Sequence, residues 1–67
     1  EISAVSRWEG KSLRELNIRS KYGVNVMAIK HNGEINISPQ GEDIIHHNDI
    51  LVVIGAVDDI KKLEEMH

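Results

Sequence analysis

Five consecutive aliphatic residues, Ile50-Leu51-Val52-Val53-Ile54, constrain the fold of this chain more than any other feature. A strand with one wet face alternates apolar and polar residues, whereas a strand apolar at every position needs cover on both sides. The run therefore predicts a strand in the centre of a sheet, ended by Gly55. It is far too short to span a bilayer, which takes about 20 apolar residues. The chain around it has 67 residues, 40% hydrophobic and 28% charged, which reads as one small globular domain over residues 1–67. A domain this small buries only about 60% of the surface of its unfolded chain, so it gains from a partner surface.

The other elements follow from local chemistry. Ile2, Ala4 and Val5 predict a short first strand. Ser12-Leu13-Arg14-Glu15 has the pattern of a capping box, serine at the N-cap and glutamate three residues later, and opens a short helix with Leu13 and Leu16 on its buried face and Trp8 as a lid. Tyr22-Gly23 closes that segment. Val24, Val26 and Ala28 alternate with Asn25, Met27 and Ile29, a strand expected to be largely covered on both faces. Asn32-Gly33 signals a type I′ hairpin, because both central residues need positive φ. Ile35 and Ile37 alternate with Asn36 and Ser38 on the return strand, which Pro39 stops. After the central run, Asp58 and Asp59 suit a helix N-terminus, and Val57, Ile60, Leu63 and Met66 give that helix one buried stripe. The expected fold is α+β: a small, mostly antiparallel sheet in the order strand-helix-strand-strand-strand-helix, two helices on one face, and a second subunit over the other.

Several kinds of chemistry are excluded or disfavoured. With no cysteine there is no disulfide scaffold, thiolate zinc site or cysteine nucleophile, and a reducing compartment is compatible. No basic-then-apolar stretch resembles a signal peptide, and a net charge of −3 argues against nucleic acid as a partner. Gly10-Lys11-Ser12 mimics the end of a phosphate-binding loop, but Val5 stands where the first glycine belongs. His46-His47-Asp49, near Glu42 and Asp43, resembles a loose metal-ligand cluster. Adjacent histidines on a turn point apart, so a solvated turn and no metal site are expected. Asp58-Asp59 and Glu64-Glu65 lie side by side on one helix, not as a desolvated pair in a cleft. No serine or histidine arrangement fits nucleophilic catalysis, and no enzyme is expected.

One segment carries more information. Residues 1–33 hold six lysines and arginines against three acids, while residues 34–67 hold two against eight, so an anionic ligand would favour the first half. There, Leu16-Asn17-Ile18-Arg19-Ser20-Lys21-Tyr22-Gly23-Val24-Asn25-Val26 sets two cations, two amides and several aliphatics between a helix end and a strand start. An arginine forks two donors onto a phosphate, an asparagine reads a base edge, and aliphatics sandwich a purine. The plainer account leads on these residues alone: Arg19 pairs with Glu15 one turn earlier, and Asn25 is solvated.

The sequence nevertheless resembles a known family. Gly10-Lys11-Ser12-Leu13-x-Glu15-Leu16-x-Ile18-Arg19-x-x-Tyr22-Gly23, then Val26-x-Ala28-Ile29, Ser38-Pro39 and Asp49-x-Leu51-x-Val53-x-Gly55 are similar to the RCK C-terminal (TrkA-C) domain. Such domains regulate potassium channels, Ktr- and Trk-type potassium uptake systems and cation/proton antiporters. The stretch from Asn17 to Asn25 is most like gating subunits of Firmicute Ktr systems. The resemblance implies a cytoplasmic regulator, peripheral to the membrane through a potassium-translocating subunit, with an upstream Rossmann-type nucleotide-binding domain and a homodimer inside an octameric ring. It further implies cyclic di-AMP bound in the twofold dimer cleft, inhibiting potassium uptake. Leu16, Asn17, Ile18 and Arg19 would contact the ligand, Arg19 on a phosphate. Asn25 would bond an adenine, Val26 and Pro39 would wall the base, and Lys21 and Ile37 would lie close by. The sequence departs from the family at Asn17, where an acid is frequent; losing a carboxylate beside a phosphate should not harm binding. The alternative implication is a structural dimerisation module with no nucleotide of its own.

Overall fold

A computed structural model describes residues 1–66, in which four strands and three short helices follow one another as β1 (Ile2–Ser3), α1 (Leu13–Leu16), α2 (Ile18–Tyr22), β2 (Asn25–His31), β3 (Glu34–Asn36), β4 (Ile50–Ile54) and α3 (Val57–Glu64), with a 3-10 turn at Ser6–Trp8. The strands make one antiparallel sheet in the order β1-β4-β2-β3. The aliphatic run is thus an inner strand, paired on both edges, as its composition predicts. Leu51 stands opposite Ile2 on one side and Ile29 on the other, and all three are buried. They meet Val5, Trp8, Leu16, Ile18, Val24, Ile45 and Leu63 in a single core beneath the helices. Fully burying an aliphatic side chain of this size contributes about 1.5–3 kcal/mol, so this cluster is the main source of stability in so small a domain.

Asn32 and Gly33 both have positive φ, 49° and 82°, and His31 pairs with Glu34 across the turn, which is the predicted type I′ hairpin.

Three local features differ from the sequence expectation. The register between β2 and β4 slips at Met27: Val26 faces Val53 and Ala28 faces the next residue, Val52. This β-bulge breaks the alternation, so Val26 and Ile29 share the core side, Ala28 turns to the other, and Met27 is exposed. The return strand ends at Asn36, before Pro39 is reached. The Asn36 side chain accepts a hydrogen bond from the Ser38 backbone N–H at 3.1 Å and donates to Asp43 at 2.9 Å, turning the chain and leaving Ile37 outside the sheet, 74% exposed. In α3, Leu63 is buried and Ile60 packs against the core, but Val57, the first helical residue, stays exposed, and Met66 reaches the core from beyond the helix end. Trp8 is buried as expected, with its ring centroid 5.3 Å from that of Tyr22, while Leu13 packs on the same core.

The sheet face turned from the core carries Ile50, Val52 and Ile54 of β4 and Ile35 of β3. Ile35 and Ile54 are exposed.

Candidate functional site

The segment between Ser12 and Val26 is organised by two local devices. The first is the capping box. The Ser12 hydroxyl accepts from the Glu15 backbone N–H at 3.2 Å, and the Ser12 backbone N–H donates to the Glu15 carboxylate at 3.1 Å. The second is Asn17, which has left-handed dihedrals (φ 48°, ψ 49°) and ends α1 while starting α2. Asparagine tolerates that conformation better than other residues with a Cβ. The predicted single helix is thereby split, and its second half turns so that Ile18 is buried and Arg19 stands free.

Between this bent helical segment and the start of β2 lies a cleft of about 320 Å³, lined by Leu13, Arg14, Asn17, Ile18, Arg19, Val24, Asn25, Val26 and Gly41. Cavities of roughly 300–1,000 Å³ with an apolar wall and a few convergent polar groups are the usual form of small-molecule sites. Leu13, Ile18, Val24 and Val26 supply the wall here; two amides and two guanidinium groups supply the polar set. Arg19 makes no ion pair among the described residues: Glu15, its expected partner, is engaged at the helix cap, and the break at Asn17 puts the two on different helices. Arg14 lies over Gly41, where a Cβ would come within 3.0 Å of its Nη2, and reaches Glu42 at 3.8 Å in an exposed pair. Away from the cleft, the Lys30 ammonium bonded to Glu1 holds that carboxyl below the usual carboxylate range.

Of the residues expected from the sequence, Asn17, Ile18, Arg19, Asn25 and Val26 converge on this cleft. Leu16, a core residue like Ile18, lines no part of it. Lys21, on the far part of α2, and Ile37, beyond the shortened β3, are exposed and line no part of it, and half-buried Pro39 lies outside the lining too. Leu13, Arg14, Val24 and Gly41 were not anticipated as site residues. Arg14 had a signal, since it precedes Asn17 and Ile18 by three and four positions, one helical turn. Gly41 had none, because it reaches the cleft only through the fold.

The turn at His46–Asp49 is solvated as expected at His46, His47 and Asn48, but not at Asp49. His46 and His47 do point apart, but Asp49 is 1% exposed and sits against His31 from the end of β2.

The sequence profile of the family described as the TrkA-C domain matches residues 1–67. The chain belongs to that family. The TrkA-C domain described here is 49% identical over 65 residues to the Ktr system potassium uptake protein C of Bacillus subtilis, a match covering 97% of this chain and 29% of that protein. It therefore spans less than a third of the length of this relative. Among solved structures, the RCK C domain of the potassium transport protein KtrA in complex with cyclic diadenosine monophosphate superposes with a TM-score of 0.88 at 36% identity, covering 96% of this chain and 75% of that one. The RCK_C domain dimer of S. agalactiae BusR in complex with c-di-AMP gives 0.84 at 30% identity, covering 94% and 78%. The α+β architecture is that of these domains.

Proposed function

We propose that this TrkA-C domain is the ligand-sensing part of a potassium-uptake regulator, that it binds cyclic di-AMP across a twofold homodimer, and that binding inhibits uptake. The observation that carries the reading is the cleft itself: an unpaired guanidinium, two amides and an aliphatic wall meet in a space fit for one base and one phosphate. Arg19 takes a phosphate oxygen pair, Asn25 reads an adenine edge, Ile18 and Val26 flank the base, and Asn17 shapes the turn that exposes Arg19. A ligand with twofold symmetry suits two copies of such a cleft, each holding one half. The domain has no catalytic task in this reading. It works at the cytoplasmic side of a membrane potassium-translocating subunit, downstream of a nucleotide-binding domain within a ring. Likeness to domains solved with c-di-AMP, and to a Ktr uptake protein, supports it.

A second reading is a dimerisation module without a nucleotide, which the exposed Ile35 and Ile54 would serve equally well. Isothermal titration with cyclic di-AMP, its guanine counterpart and linear di-AMP separates the two. Saturable binding of cyclic di-AMP, at one molecule per two chains and tighter than either analogue, is the expected result. No heat from any of the three leaves the dimerisation module as the better account.

A further inference from the structure

We propose that His31, His46 and Asp49 form a binding site for a divalent first-row transition-metal ion such as Zn²⁺. The three come from separate segments, His31 from the end of β2 and the other two from the turn before β4, and one ligand atom from each lies within 4.8 Å of the others. Asp49 is 1% exposed, and a carboxylate so buried needs compensation. Its Oδ2 accepts the His46 backbone N–H at 2.9 Å and its Oδ1 meets the His31 Nδ1 at 2.5 Å. The backbone bond orients the carboxylate, with Oδ1 directed at the His31 imidazole, the kind of support that metal-ligating carboxylates have. The His46 Nδ1 lies 3.9 Å from Oδ2, and the two imidazole rings are 4.8 Å apart. Modest side-chain rotations therefore bring two ring nitrogens and one oxygen around a common point at the roughly 2.0–2.2 Å that zinc requires.

The donor set selects the ion. Two imidazoles and one carboxylate suit Zn²⁺, Co²⁺ or Ni²⁺, whereas Ca²⁺ and Mg²⁺ demand oxygen ligands almost throughout. A cavity of about 640 Å³ opens beside the cluster and leaves room for water on the remaining coordination positions. Glu34, Glu42 and Asp43 also line it, and no lysine or arginine does, so its field favours a cation. It shares no lining residue with the Arg19 cleft, so the site stands whether or not cyclic di-AMP binds there. His47 is excluded: its Nδ1 is engaged by Glu9 at 2.9 Å.

Titration of metal-free domain with Zn²⁺ by calorimetry, and with Co²⁺ by visible absorption, tests the proposal. The expected result is one ion per chain at micromolar affinity, with Co²⁺ d–d bands of low coordination number. His31→Ala and His46→Ala should each weaken binding by at least about tenfold. His47→Ala should leave it unchanged, and circular dichroism should show all three folded. Asp49→Asn should also abolish binding; should it unfold, the two histidine variants decide. Absence of binding up to millimolar Zn²⁺, or binding that persists in both His31→Ala and His46→Ala, would make the cluster a hydrogen-bonded staple and overturn the assignment.

Discussion

Arg19 and Lys21 are two residues apart on α2, both exposed and both cationic, yet only Arg19 lines the cleft. That difference yields a sharp prediction. Arg19→Ala should weaken cyclic di-AMP binding by about two to four decades, since a charge-assisted contact contributes about 1.5–3 kcal/mol and a twofold site loses two of them. Lys21→Ala removes the same charge per subunit and should have a much smaller effect, which makes it the control for long-range electrostatics. Both titrations belong at one ionic strength, because screening shrinks the contrast. Equal, small effects would place the ligand elsewhere. The dimer should survive both changes, as neither side chain is part of the core.

At the scale of elements, the capping box does more than start α1. It holds the Glu15 carboxylate against the Ser12 backbone, and the break at Asn17 then takes Arg19 off the α1 face, so the two do not pair. Ser12→Ala should lower stability by about 1 kcal/mol, and thermal unfolding of a domain this size should fall by about 4–8 °C. The far end of the segment is as tightly defined. Gly23 has φ 75°, and a Cβ there would stand 2.8 Å from the Asp59 Oδ2 at the start of α3. Gly23→Ala should therefore destabilise by about 1–2 kcal/mol from backbone strain alone, with the clash added. Asp59→Ala in the same chain should recover only the clash, which chemical denaturation of the single and double variants reads directly.

For the whole molecule, size and surface point the same way. A core of ten buried hydrophobic side chains serves a chain that still exposes Met27, Ile35, Ile37, Ile54 and Val57. Of these, Ile35 and Ile54 share the sheet face turned from the core, the face that a second copy would cover. Sedimentation at micromolar concentration should show a species of twice the 7.6 kDa chain mass; a 7.6 kDa species would refute the homodimer.

The sequence by itself determined whatever depends on neighbours within a few residues. The capping box of Ser12 and Glu15, the hairpin at Asn32-Gly33 and the inner position of Ile50–Ile54 were all legible, because short hydrogen bonds, φ preference and the pattern of burial are written in contiguous residues. The family's helix-end motif pointed in addition to Asn17, Ile18, Arg19, Asn25 and Val26, residues that the fold brings to one cleft. The tertiary structure alone decided the bulge at Met27, the early end of β3 and the exclusion of Leu16 from the cleft wall, since each depends on register against a distant strand or on what the core demands. It also decided that His31 meets Asp49, 18 positions away. Nothing local to either residue encodes that meeting; it follows from antiparallel pairing of β2 with β4, which sets the end of one strand beside the turn that leads into the other.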